Sequence, residues 1–128
     1  MMPAQIKSLI RRGESDSVEF ITQSHQLDRI GRTVCAFLNG KGGTVFVGVD
    51  DKGRIIGVEA PGTLAEKLQK YLNEHLTPHA LWSVSIDSDD GKSIVSVEVP
   101  AAKDRPYIFD GSIFIRRGTR TQDRKSVV

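Results

Sequence analysis

Residues 34–58 read VCAFLNGKGGTVFVGVDDKGRIIGV, and the order of patterns within them decides the fold. An apolar helical run enters a glycine cluster, then a dense β-branched strand, a short acidic turn and a second strand. Asn39-Gly40-Lys41-Gly42-Gly43 supplies glycines and a lysine, the ingredients of a phosphate loop. A phosphate loop, however, runs strand, loop, helix, so that a helix N-terminus faces the anion. Here the helix comes first, and there is no GxxxxGK[ST] string. The loop is therefore expected to follow a helix C-terminus, with Gly42 or Gly43 ending the helix at positive φ. Nucleotide binding through residues 40–43 is the weaker reading.

Upstream, Leu27, Ile30, Val34, Phe37 and Leu38 recur at helical spacing and predict a helix over residues 26–38, with Ser24 as its N-cap. Downstream, residues 44–49 are apolar on both faces, as in a central strand, and Gly48 implies a bulge or a close backbone approach. Asp50-Asp51-Lys52-Gly53 predicts a hairpin turn, with residues 54–58 as the returning strand. Further out, residues 3–12 read as a short helix ended by Gly13, and residues 17–21 as a strand. Leu64, Leu68, Tyr71, Leu72 and Leu76 mark a helix over 63–76 that Pro78 closes. Trp82, Val84 and Ile86 alternate, as do Val95, Val97 and Val99, around the turn Asp89-Asp90-Gly91-Lys92. Residues 107–109 and 112–116 are expected to pair across Asp110-Gly111, leaving a basic tail, 119–128, that starts a helix or frays. The sum is a single α/β (α+β) domain over 1–128, a mixed β-sheet with hairpins packed against two to three helices.

The chain has 128 residues, 38% hydrophobic and 27% charged, which suits one globular core. No apolar run reaches membrane-span length and no signal-peptide core follows Met1-Met2-Pro3, so no membrane partner and a bacterial cytoplasmic location are expected. Cys35 is the only cysteine, which excludes an intrachain disulfide and argues for a small packing residue. His25, His75 and His79 show no ligand spacing with acidic partners. Net charge is only +2, but its distribution is uneven. Lys7, Arg11 and Arg12 cluster near the N-terminus, and Arg29 and Arg32 lie off the apolar stripe of the 26–38 helix. Arg116, Arg117, Arg120, Arg124 and Lys125 crowd the C-terminus. Such segregation creates a local field for phosphate despite near neutrality.

Three groups of residues carry a family resemblance: Gly13-Glu14-Ser15-Asp16-Ser17-Val18-Glu19-Phe20; Ala36-Phe37-Leu38-Asn39 with Gly42-Gly43; and Gly48-Val49-Asp50-Asp51-Lys52-Gly53 with Gly57-Val58. Together with Pro106-Tyr107, Gly111-Ser112 and Phe114-Ile115-Arg116-Arg117-Gly118, they resemble the Schlafen-type, AlbA-like DNA-binding domain over about residues 13–121. The resemblance implies an α/β domain on a mixed sheet, found in bacterial proteins labelled transcriptional regulators and in vertebrate Schlafen proteins that cut RNA.

The leading expectation is a non-enzymatic nucleic-acid-binding domain of a bacterial transcriptional regulator, with DNA ahead of RNA and no cofactor; a homodimer is allowed. Its phosphate contacts would come from Arg29, Arg32, Lys41, Arg116, Arg117 and Arg120. The alternative is a nuclease in which Glu14, Glu19 and Asp50 converge, serve as catalytic residues and bind Mg²⁺ or Mn²⁺, hard cations that take oxygen ligands. The resemblance implies that constellation, but nuclease members tend to read Glu-Phe-Lys where this chain reads Glu19-Phe20-Ile21. Isoleucine cannot neutralise charge developing on a phosphate, which places catalysis second. An ATP-binding module is third.

Overall fold

The apolar stripe becomes helix α2 (Leu27–Leu38), which buries Ile30, Val34, Cys35, Phe37 and Leu38 in the larger core. The computed structural model describes residues 2–103 and 105–126. Before α2 come α1 (Ala4–Arg12) and β1 (Val18–Ile21); after it come β2 (Gly43–Val47), α3 (Pro61–His75) and β3 (Leu76–Thr77). The chain continues through β4 (Ser83–Asp89), β5 (Lys92–Val99), β6 (Ile108–Phe109), β7 (Phe114–Arg117), β8 (Arg120–Asp123) and a 3-10 turn at Arg124–Ser126. Among the described residues no helix is long and apolar enough to cross a membrane.

Four strands form the main sheet in the order β1-β2-β5-β4. β1 runs parallel to β2, with Glu19 opposite Val45, and the other pairs are antiparallel. β2 is internal, as its two-sided apolar pattern requires. Val45 and Val47 join Ile21, Val95, Val97 and Val99 in a core shared with α2 and α3. Phe46 faces the other way, into a smaller cluster with Val18, Phe20, Ile94 and Ile10 of α1. The sheet is thus covered on both faces, which makes this a mixed α+β domain.

The glycine loop ends α2. Gly40 and Gly42 both donate their N–H groups to the Phe37 carbonyl, at 3.0 and 2.9 Å. Gly42 lies at φ 82°, and a Cβ there would stand 2.6 Å from the Val99 carbonyl oxygen. Gly48, at φ 104°, is the close approach its sequence implied: its carbonyl accepts from both Ile56 and Gly57, at 2.8 and 2.9 Å.

Several expectations need correction. Ser24 does not cap α2; the N-cap is Gln26, which makes no side-chain capping bond. The return of residues 54–58 shrinks to one bridge, Val49 with Ile55, because Ile56 and Gly57 turn in on Gly48 and Val58 donates to Ser93 of β5. Trp82 is buried, whereas Ile86, expected on the same face, is 44% exposed. Residues 107–109 and 112–116 do not form one hairpin. β6 pairs with β3, Phe109 meets Ser112 in a single bridge, and β7 pairs with β8, made from the tail expected to start a helix or fray, of which residues 127–128 lie outside the described residues.

Candidate nucleic-acid interface

β1 places Glu19 on the sheet face that α2 covers, where the residue is 4% exposed. A carboxylate at such a site demands charged partners. Arg29, on the first turn of α2, donates from Nε and Nη2 to Glu19 Oε2 at 3.2 and 2.8 Å. Arg116 of β7 donates from Nη2 to Oε1 at 3.0 Å, and to the carbonyls of Ser15 and Val18 at 2.9 and 3.2 Å. Its Nη1 donates to Thr121 Oγ1 at 3.1 Å, and its guanidinium stands 5.1 Å from the centre of the Phe37 ring. With a side chain only 3% exposed, Arg116 is a buried hub that ties the β7–β8 hairpin to β1.

Above Glu19 and Arg116 opens a cleft of about 270 Å³, lined by Glu19, Arg29, Arg32, Thr33, Thr119 and Thr121. α2 forms one wall. Arg32, three residues on from Arg29, pairs with Asp28 at 2.9 Å, and its Nε is buried with no hydrogen-bond partner among the described residues. The hairpin forms the other wall, and Thr33 and Thr121 meet across the gap at 3.5 Å. Both Glu19 oxygens accept from guanidinium groups, so the open donors and the net charge of this concavity are cationic.

The six basic candidates therefore divide. Arg29 and Arg32 line the cleft and stay 45% and 43% exposed. Arg116 lies beneath it and is not a surface cation. Arg117 and Arg120 face each other at the exposed tip of the hairpin, and strand alternation turns them away from Arg116 and Thr121. Lys41 sits past the far end of α2, 87% exposed and 3.9 Å from Asp16.

The three carboxylates go to separate tasks. Glu14 Oε2 accepts the Phe20 N–H at 2.9 Å, serving the edge of β1 that no strand among the described residues covers. Glu19 takes the two arginines. Asp50 closes its own turn: Oδ1 accepts the amides of Lys52 and Arg54, and Oδ2 accepts Arg54 Nε at 2.8 Å. These bonds, the Arg54 amide foremost, hold the Asp50 carboxyl below its usual value against an opposing desolvation. Among the described residues no group of three or more His, Cys, Asp or Glu side chains is placed to hold a metal ion. Burial pushes the Cys35 thiol up to about 11, consistent with packing rather than nucleophilic chemistry.

Sequence reasoning missed the threonines, which carry no signal until the hairpin brings them opposite α2. It also missed Asn39, read only as part of a loop. Asn39 Nδ2 donates to the carbonyls of Tyr107 and Phe114 at 3.0 and 2.9 Å, and Oδ1 accepts the Tyr107 N–H at 2.6 Å. This side chain docks the C-terminal segment on the end of α2.

The fold has solved relatives. The N-terminal domain of a Nitrosomonas europaea protein, named as related to the ATP-dependent DNA helicase RecG, is similar at 25% identity and a TM-score of 0.69, over 92% of this chain and 90% of that one. The DIP2311 protein of Corynebacterium diphtheriae matches at 21% identity and a TM-score of 0.68; 94% of this chain is covered, but only 29% of DIP2311. The profile of the Schlafen, AlbA_2 family matches residues 14–125, so the chain belongs to that family.

Proposed function

We propose that this domain binds nucleic acid without cleaving it, DNA ahead of RNA, as the binding part of a cytoplasmic bacterial regulator or of a larger assembly. The observation that carries the reading is the cationic cleft, where Arg29 and Arg32 of α2 face the β7–β8 hairpin and a buried ion-pair network fixes both walls. Arg117 and Arg120 extend the positive rim at the hairpin tip. Two further facts support it: membership of the Schlafen, AlbA_2 family, and the helicase-related name of the Nitrosomonas europaea neighbour. Contacts of this kind grip phosphate and position a strand with little reading of bases. Catalysis stands second because the carboxylate that would anchor a metal, Glu19, already has both oxygens bound by arginines. Nucleotide binding stands third because the amides of Gly40 and Gly42 are used to end α2.

The test is duplex and single-strand binding over a range of salt for the wild type and the double variant Arg117→Gln/Arg120→Gln. Both side chains are exposed, so the variant is expected to stay folded. Affinity should fall about equally on all sequences, and the salt slope should drop by about one to two ions. A folded double variant with unchanged affinity and slope removes the hairpin tip from the interface. Magnesium-dependent cleavage by the wild type that Glu19→Gln abolishes would replace binding with nuclease activity.

A further inference from the structure

The cleft can be specified more closely than its charge alone allows. Its volume, about 270 Å³, lies below the roughly 300–1,000 Å³ of ordinary small-molecule pockets, so it suits one chemical group of a larger ligand. The lining chooses the group. Thr33 Oγ1 already donates to the Arg29 carbonyl at 3.0 Å, and Thr121 Oγ1 accepts from Arg116 and donates to Thr33 Oγ1 at 3.5 Å, so both hydroxyl protons are already engaged. What remains directed at a ligand is guanidinium from both α2 arginines, with the hydroxyl of exposed Thr119 opposite. Arg32 Nε is the sharpest pointer. The guanidinium is half exposed but its Nε is shielded and unpaired while the group holds Asp28, and a turn of the side chain toward an acceptor seated by Thr119 would satisfy it.

Charge then separates two forms of phosphate. Arg29, Arg32 and Arg116 contribute three positive charges, and Glu19 and Asp28 two negative ones, leaving one net positive charge on the groups that line and underlie the cleft, apart from Arg117 and Arg120 on its exposed rim. One positive charge matches a monoanionic phosphodiester better than a dianionic terminal phosphate. We infer that the cleft between α2 and the β7–β8 hairpin seats one internal phosphodiester of a strand, held by Arg29, Arg32 and Thr119, with Arg116 and Glu19 as positioning residues. This rests on the nucleic-acid reading and adds a register point to it: one linkage of the strand is anchored while its neighbours meet the exposed rim. Asp28 acts as a competitor for Arg32, so its charge sets how readily Arg32 turns to a ligand.

The experiment follows the arginine Nε–H and backbone amide signals of the isotope-labelled chain by NMR. Three titrants are used: dimethyl phosphate as the bare diester, methyl phosphate as the dianionic monoester, and a single-stranded oligonucleotide with and without a 5′-phosphate. Dimethyl phosphate and the oligonucleotide are expected to move the same signals, Arg32 Nε–H and the Thr119 amide first. Arg32→Gln should lower oligonucleotide affinity about 3- to 10-fold and cut the salt slope by about one, while Asp28→Asn should raise affinity about 2- to 3-fold. Competition for Arg32 requires that the gain from Asp28→Asn vanish in the Arg32→Gln background, whereas a general loss of negative charge would raise affinity in both. Oligonucleotide binding that leaves Arg32 and Thr119 unmoved, with Arg32→Gln unchanged, overturns the cleft assignment and leaves the nucleic-acid function standing. A clear preference for methyl phosphate, or for the 5′-phosphorylated strand, overturns the diester assignment. Dimethyl phosphate in the cleft without any oligonucleotide binding would support the site and defeat the nucleic-acid function.

Discussion

The central strand β2 and the hairpin β7–β8 belong to one domain but are secured by different means. β2 is held by apolar burial on both faces: Val45, Phe46 and Val47 are fully buried, and each has packing partners in either core. The hairpin contributes Phe114 to the edge of the larger core and is otherwise tied down by polar side chains. Asn39 holds its base through the Phe114 carbonyl, and Arg116 holds its middle through Glu19, Ser15 and Val18. Apolar burial is distributed, so a lost methyl group costs its transfer and cavity terms but leaves the remaining contacts in place. A polar clamp is concentrated in one side chain, and its loss strands buried partners that nothing else can reach. The cleft between α2 and the hairpin has one wall of each kind, so its shape depends on the clamps.

Arg116→Ala should break that contrast most severely. Glu19 would keep Arg29 but lose its second counter-ion, and the Ser15 and Val18 carbonyls would lose a shared donor. We expect a loss of about 3 kcal/mol in urea unfolding, the low end for removing one partner of a buried charge pair. Arg116→Lys should recover only a minor part, because an ammonium cannot reproduce the fork that spans both the carboxylate and Thr121. A loss well under 1 kcal/mol for Arg116→Ala would mean that the hairpin rests on packing after all.

Asn39→Ala comes next, at about 2 kcal/mol, because it leaves the Tyr107 N–H and the Phe114 carbonyl without their side-chain partner and the Tyr107 carbonyl with only the weak Cys35 thiol donor. Its location of effect matters as much as its size. Hydrogen exchange should accelerate at the Tyr107 amide and through β7 and β8, while β2 and β5 keep their protection. Uniform acceleration across the main sheet would show that the clamp and the core unfold together.

The same contrast explains what the sequence disclosed. α2, α3, β2 and the β4–β5 hairpin were legible because periodicity and turn chemistry are local: Asp90 and Gly91, at φ 52° and 77°, form the two-residue turn their sequence suggests. The glycine loop was legible for the same reason, since the helix runs straight into it. The pairings of β3 with β6 and β7 with β8 were not, because strands of two to four residues carry too little alternation to name a partner. Site residues followed the same rule. Arg29 and Arg32 could be assigned to a polar helix face from spacing alone. Arg116 and Arg117 are adjacent and look alike in sequence, yet alternation buries the first side chain and exposes the second. Only the register of β7 against β8 and α2 decides which one faces Glu19.

The smallest effect should come from Asp50, whose interactions lie wholly within its own turn. Amides of Arg54 and Lys52, and the Arg54 side chain, favour the charged carboxylate and hold its folded-state value below the ordinary 3.8. A group lowered in this way contributes stability that is fully present above 3.8 and is lost as pH falls through the folded-state value. Asp50→Asn should therefore be modestly less stable than the wild type near neutral pH, since the amide keeps an acceptor for the two backbone donors but gives up attraction for Arg54. The two proteins should converge in unfolding midpoint as the pH is taken well below 3.8, where the wild-type carboxyl is protonated as well. Because the turn is local and solvent-accessible, the difference should leave the exchange rates of β7 and β8 untouched. A difference that persists unchanged into acid would assign the role of Asp50 to shape alone, and a difference that spread to the hairpin would couple two regions that the structure keeps apart.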